Sequence, residues 1–260
     1  MSDEILFRER DCRGTIVALV RLNRPDKGNA LTLAMLDELD SVFSRIATDR
    51  RIRAVVLRGS GRFFCAGGDI LDWASMSATE MGQRWILRGI EVFERIASLP
   101  QPVIAAINGH VLGGGLELAL AADLRVVVAG SRIALPEVGL GMIAGWGGVR
   151  RVAELIGVSR ARQFTLLGTP ITPETALEWG LVHAVAENVP CMDAQVHAWL
   201  ESLLANAPVA MALTKQLLNS MHTDMREAFA EAVSQAAATE DCREGVAAFR
   251  EKRVPVYRNC

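Results

Sequence analysis

No apolar run in this sequence approaches the ~18 residues that a membrane-crossing helix needs, so no span is expected. The opening residues, MSDEILFRERD, are too acidic and too poor in apolar side chains for a signal or transit peptide, and a cytoplasmic location is the expectation. Cysteine is scarce and badly placed for cross-links. The five cysteines (Cys12, Cys65, Cys191, Cys242, Cys260) are odd in number, widely spread and form no C-x-x-C pair, which argues against disulfides and a zinc site. The four histidines (His110, His183, His197, His222) show no ligand spacing either, so no metal is expected. A formal net charge of −2 leaves no basic surface for nucleic acid and no acidic tail. Also missing are a G-x-S-x-G elbow and the glycine spacings of dinucleotide and P-loop sites. Cys65 sits in a glycine loop but has no basic partner nearby in sequence, and it reads as a small packing residue rather than a nucleophile.

What remains is a 260-residue chain, half of it hydrophobic, long enough for one large domain or one domain with a helical appendage. Apolar runs at 15–22 (TIVALVRL), 54–59 (AVVLRG), 103–107 and 124–130 (LRVVVAG) read as strands. RIALPEVGLG (132–141) reads as a short strand with a turn at Pro136, and LVHAV (181–185) as a last strand. Helices are expected at 33–47, capped by Thr32, near 79–98, at 158–168 and at 172–180. From Pro190 onward the pattern is nearly all helix, Ala- and Leu-rich, with a break at Pro208. Strands alternating with helices, then helices alone, predict an α/β core with a helical C-terminal region. The alanine-rich tail has more apolar surface than it can hide by itself, so it is expected to pack against other subunits.

The chain is organised around VIAAINGHVLGGGLELALAAD (103–123), where an apolar strand breaks into Gly113-Gly114-Gly115 and becomes helical. A helix entrance without side chains exposes unpaired N–H groups to an anion or to an oxygen gaining negative charge. Glu117, three residues after Gly114, would stand above the same face. The bland readings are close backbone packing by the glycines and a Glu that complements the helix dipole. A second glycine loop, Phe64-Cys65-Ala66-Gly67-Gly68-Asp69, also leaves a strand and would provide a second N–H donor, unless it is an ordinary tight turn. Two such donors would form the oxyanion hole that acyl chemistry needs. Glu137, in the otherwise apolar LPEVGLG, is either a surface residue beside a turn or a partly desolvated acid. Two carboxyls and two N–H donors suffice to add or remove water beside an activated carbonyl.

In order and spacing, NRPDKGNAL (23–31), FCAGGDI (64–70), PVIAAINGHVLGGGLELALAAD (102–123), PEVGLG (136–141) and EGVAAFREKRVPV (244–256) resemble the enoyl-CoA hydratase/isomerase (crotonase) superfamily. The resemblance covers nearly the whole chain. It implies an α/β fold, a spiral of ββα units over residues 1–190 holding an acyl-CoA site, with a helical C-terminal oligomerisation region at 191–260. The implied assembly is a trimer or dimer of trimers, and the implied ligand an acyl-CoA thioester, with coenzyme A part of the substrate and no separate cofactor.

The resemblance carries over residue by residue. Gly68 and Gly114 match the positions whose N–H groups bind the thioester oxygen. Glu117 and Glu137, twenty residues apart, match the two glutamates that hydratases of the family use on one water. Asp69, Ile70 and Leu71 fall at acyl-CoA-lining positions, Ala66 at one whose backbone meets adenine, and Lys27 near the nucleotide end. Phe249 and Lys252 match an aromatic and a base that reach nucleotide from the adjoining subunit, although Phe249 could be core and Lys252 a solvated charge. Retaining both glutamates implies syn hydration of a 2-enoyl-CoA, in fatty-acid or related acyl-CoA degradation. The alternatives are an enoyl-CoA isomerase or C–C lyase on the same scaffold and, from another class, a non-catalytic acyl-CoA-binding protein. GMIAGWGG (141–148) departs from the family's loop at Ala144 and Trp146. The Trp146 indole would either turn inward and filter the acyl group, or pack in the core or between subunits.

Overall fold

The computed structural model describes residues 4–12, 14–220 and 239–258, without the side chains at 249 and 250. Six strands, β1 (Ile5–Asp11), β2 (Ile16–Leu22), β3 (Ile52–Gly59), β5 (Val103–Ile107), β7 (Leu124–Val128) and β9 (Ala184–Ala186), lie side by side in that order. β1 is antiparallel to β2, and the other pairs are parallel. Three short strands, β4 (Phe63–Cys65), β6 (His110–Leu112) and β8 (Ile133–Ala134), form a separate parallel sheet.

Three times the chain steps from a strand of the large sheet to one of the small sheet and then into helix. β3 and β4 lead to α2 (Ile70–Trp73), α3 (Ala78–Glu80) and α4 (Leu87–Ala97). β5 and β6 lead to α5 (Gly114–Leu120), while β7 and β8 lead to a 3₁₀ turn (Glu137–Leu140) and α6 (Gly148–Leu167). This is the expected spiral of ββα units. Helix α1 (Leu33–Thr48) begins where Thr32 Oγ1 accepts the Met35 N–H at 3.1 Å, a cap worth about 1 kcal/mol. Its apolar stripe, Met35, Leu36, Leu39, Phe43 and Ile46, is fully buried against the core that holds Val92, Phe93 and Ile96 of α4.

Side chains of the large sheet alternate between two buried faces, as a parallel sheet covered on both sides requires. Val20, Leu22, Val55, Leu57, Val103 and Ala105 face the first core. Val17, Ala54, Val56, Ile104, Ala106 and Val126 face a second, closed by Met192, Val196 and Leu200 of α8 (Val189–Leu204). Helices α7 (Pro173–Trp179), α9 (Pro208–Asn219) and α10 (Glu240–Glu251) complete the described chain.

Several local expectations need correction. The last strand is Ala184–Ala186, not 181–185, because the Leu181 and Val182 N–H groups turn back to the Ala176 carbonyl. The helix expected at 158–168 is the second half of α6, which starts at Gly148 and breaks at Gly157 (φ 77°, ψ 154°). The loop expected after β3 contains β4, and the helix near 79–98 contains a π-helical turn, Met81–Ile86, that carries the buried Trp85.

Candidate active site

The three motifs meet because each follows one strand of the small sheet. Register pairs Cys65 with Val111, and Leu112 with Ala134, so the segments Ala66–Gly68, Gly113–Gly114 and Leu135–Glu137 leave the same end of that sheet. The carboxyl ends of parallel strands are where α/β folds gather ligand-binding loops.

Each loop is pinned. Leu31 clamps the loop at Gly68: its N–H donates to the Gly67 carbonyl at 2.8 Å and its carbonyl accepts the Asp69 N–H at 2.7 Å. The turn at Gly113 has φ 52° and ψ −132°, a conformation open to glycine alone, and its N–H donates to the Ala134 carbonyl. The two glycine loops abut, since a methyl group on Gly114 would lie 3.5 Å from the Gly68 nitrogen. Among the described residues neither the Gly68 nor the Gly114 N–H has a protein acceptor. Two unpaired backbone donors side by side suit one oxygen that gains negative charge.

Glu117 is 2% exposed, and its Oε1 accepts the Trp146 N–H at 2.8 Å and the Gly148 N–H at 2.7 Å. Burial, with the neighbouring Glu137 charge, pushes its pKa up to about 7 against the pull of those two donors and of Arg151. Glu137 is also pushed up, by burial. Its carboxyl leans over the turn, where a methyl group on Gly113 would lie 2.7 Å from Oε1, and its Oε2 is buried without a hydrogen-bond partner. Both acids therefore hold a proton to higher pH than an ordinary glutamate does.

The other expected residues are placed less evenly. Ile70 and Leu71 are exposed apolar side chains on α2, 47% and 80% accessible, on the loop that carries Gly68. The Asp69 carboxylate is tied down at both oxygens, with Oδ2 on Arg24 Nη1 at 2.6 Å and Oδ1 accepting the Leu71 N–H at 3.0 Å. Although burial opposes the charge, Arg24 and the Leu71 N–H hold the Asp69 carboxyl below the ordinary range. It caps the loop. Ala66 donates its N–H to the Gly28 carbonyl at 2.9 Å, next to the exposed Lys27. Lys252 is exposed just past α10, with φ 54°, and the Phe249 side chain lies outside the described residues. Trp146 packs in the main core, 3% exposed, on Trp85 and Phe93. Cys65 is fully buried, its Sγ donating to the Asn29 carbonyl at 3.1 Å, and burial pushes its thiol up to about 12, so it is inert packing.

Two residues that the sequence did not single out build the site. Asn29, buried at φ 57°, accepts the Arg24 N–H and donates to the Ser60, Phe63 and Phe64 carbonyls, tying the 24–31 loop to β4. Arg151, 6% exposed, donates to the Trp146 carbonyl at 3.1 Å and to Glu94 at 2.9 Å, bracing the peptide that holds Glu117. An open cavity of about 1070 Å³ lies elsewhere, between α4, α5, α6 and α9, and includes Glu94, Asp123, Arg125 and Lys215 but neither donor glycine. Its size does not outweigh the paired donors and acids, which are where the chemistry is available.

A spiral of ββα units that brings two unpaired N–H donors side by side, with two desolvated carboxyls on the adjoining segments, has the crotonase fold. The sequence model of the enoyl-CoA hydratase/isomerase family matches residues 13–259, and the chain belongs to that family. It is 39% identical over 242 residues to the short-chain-enoyl-CoA hydratase of Clostridium acetobutylicum, covering 91% of this chain and 92% of that protein. It is 35% identical over 267 residues to the mitochondrial methylglutaconyl-CoA hydratase of Mus musculus, covering 99% and 84%. Among solved structures, the enoyl-CoA hydratase of Bacillus anthracis superposes with a TM-score of 0.91 at 35% identity, covering 99% of this chain and all of that one. Among the described residues no helix is long and apolar enough to cross a membrane.

Proposed function

We propose that the protein is an enoyl-CoA hydratase that adds water syn across the C2–C3 double bond of a 2-enoyl-CoA thioester. The observation that carries this reading is that Glu137 leans over the Gly113 turn near enough for its charge to raise Glu117, which stands in the first turn of α5, both carboxyls being desolvated and the two unpaired glycine donors lying beside that turn. The Gly68 and Gly114 N–H groups donate to the thioester oxygen, which draws electron density from C3. Glu117, whose Oε1 is fixed by Trp146 and Gly148, uses Oε2 to orient water and takes its proton as oxygen bonds to C3. Negative charge passes to the thioester oxygen, and Glu137 delivers a proton to C2, after which proton exchange with solvent resets the pair. Both groups act from one face, which makes the addition syn.

In the same proposal Lys27, Ala66, Ile70 and Leu71 border the coenzyme A portion, with Asp69 shaping that loop. Phe249 and Lys252 complete the nucleotide end from an adjoining subunit of a trimer or dimer of trimers, assembled through the region from 191 onward. Names of the relatives support hydration but differ in acyl group, a short-chain enoyl in one and methylglutaconyl in another.

The test is the absorbance of the conjugated thioester when the purified protein meets crotonyl-CoA and a panel of longer and branched enoyl-CoAs. Loss of absorbance with formation of 3-hydroxyacyl-CoA is expected. Conversion of a 3-enoyl-CoA into the conjugated isomer without hydration would replace this reading with an isomerase.

A further inference from the structure

We propose that Trp146 and Trp85 form a fixed aromatic stop that restricts the acyl group to short, unbranched chains. The proposal rests on the reading of the site as one for enoyl-CoA thioesters. The two indoles are 3% and 4% exposed, their ring centroids 5.1 Å apart, and Phe93 meets Trp146 edge-on at 5.3 Å. Trp146 Nε1 donates to the Trp85 carbonyl at 3.2 Å, which fixes the ring's orientation as well as its position. That carbonyl lies in the π-helical turn Met81–Ile86, an irregularity that frequently marks a functional site.

The rings fill the inner side of the donor pair to contact. A methyl group on Gly114 would lie 2.4 Å from Trp146 Cζ3. One on Gly68 would lie 2.7 Å from Trp85 Cζ2 and 3.4 Å from Trp146 Cη2. No carbon can be added on that face without moving a ring. The indole has this place because α4 carries glycine at 89, where a methyl group would fall 2.2 Å from Nε1. A thioester held by the Gly68 and Gly114 donors therefore cannot run a long chain past them on this side.

The stop is also joined to the base, since the Trp146 N–H holds Glu117. An acyl chain that forces the indole aside disturbs Glu117 with it. Discrimination against long or branched chains then appears in kcat as well as in KM, whereas a simple steric wall would act mainly on binding.

The experiment compares kcat and KM for crotonyl-CoA and trans-dec-2-enoyl-CoA in the parent, Trp146→Ala and Trp85→Ala. Calorimetry with the unreactive butanoyl-CoA and decanoyl-CoA runs alongside. The parent is expected to favour the four-carbon substrate in both kcat and KM. Each methylene admitted to an apolar pocket shifts preference about 10–200-fold, so either variant is expected to raise the dec-2-enoyl to crotonyl ratio of kcat/KM by at least about 10-fold. Trp85→Ala carries the test if Trp146→Ala does not fold, because no hydrogen bond of the Trp85 peptide reaches Glu117. An equal fall on both substrates, or a parent that hydrates both equally well, overturns the stop while leaving the hydratase reading intact. A parent that binds butanoyl-CoA over decanoyl-CoA but hydrates neither substrate leaves the stop standing and rejects hydration.

Discussion

Arg151 bears on Glu117 through one peptide: its Nη1 donates to the Trp146 carbonyl at 3.1 Å, and the Trp146 N–H donates to Glu117 Oε1 at 2.8 Å. The guanidinium charge also lowers the Glu117 pKa against the effect of burial. Arg151 is thus a positioning residue that acts on the base by geometry and by charge.

Replacing it separates these effects from mere packing. Arg151→Met is expected to lower hydration kcat by about 10²-fold, the scale of an ångström-sized misplacement, with a smaller change in KM. Loss of the positive charge raises the Glu117 pKa, so the acid limb of the pH–rate profile should move to higher pH. Arg151→Lys should return that limb toward the parent while kcat stays low, because an ammonium lacks the guanidinium's fork. An unmoved limb in Arg151→Met would refute the positioning role.

Glu117→Gln and Glu137→Gln are each expected to lose roughly 10²–10⁴-fold in turnover while circular dichroism shows the fold retained. They should differ in pH dependence. Removing the Glu137 charge takes away one of the causes that raise Glu117, so residual activity of Glu137→Gln should extend to lower pH than the parent's. Full hydration activity in Glu117→Gln would point instead to a one-acid reaction such as isomerisation.

The sequence carried the long-period features of this fold and little of its cross-chain wiring. Thr32 announces α1, and the run into Gly113-Gly114-Gly115 announces β5 and α5, because caps, glycine turns and apolar periodicity are local signals. Glu117 and Glu137 stood out as carboxyls in a glycine-opened helix and an apolar turn, and the family resemblance paired them. By contrast, β4, β6 and β8 have three, three and two residues, too few to show alternation, yet this small sheet brings the motifs together. β1 was hidden by its charges, since most of its residues face outward. Asn29 and Arg151 act on backbone carbonyls, which leave no mark in the sequence of the donor. The packing of Trp146 in the core depends on Gly89, fifty-seven positions earlier, and no pattern around Trp146 reports that.

Gly113→Ala tests the turn that aims α5 at the site. Its φ of 52° with ψ of −132° is closed to alanine, and the added methyl would lie 2.7 Å from Glu137 Oε1. Backbone strain of this kind costs about 1–3 kcal/mol, so the urea midpoint should fall, and hydration should fall with it as the carboxyl is pushed away. Gly139→Ala, where nothing lies within 4 Å and φ is not positive, should leave the midpoint near the parent's. Equal midpoints for Gly113→Ala and the parent would show that the turn relaxes at little cost.

The raised Glu117 pKa also makes a statement about stability. The folded protein binds this proton more tightly than the unfolded chain does, at about 7 against an ordinary 4.5. With respect to this group, stability is therefore greatest below pH 4.5, declines as pH rises through the interval, and carries the full penalty above about 7. The gap corresponds to about 3 kcal/mol, an order of magnitude for a group this deeply buried. Glu117→Gln removes the charge at every pH and keeps an amide oxygen to accept the Trp146 and Gly148 N–H groups. Urea midpoints measured from pH 5 to pH 8 should show the variant gaining on the parent as pH rises, most steeply between pH 5 and 7, and exceeding it at pH 8. A midpoint difference that stays constant across the range would mean that the folded protein does not hold the Glu117 proton, and the burial of this carboxyl would then cost the fold nothing. If the gap does open, the residue assigned as the base is one whose charge the fold tolerates at the expense of its own stability, as positioned catalytic groups often require.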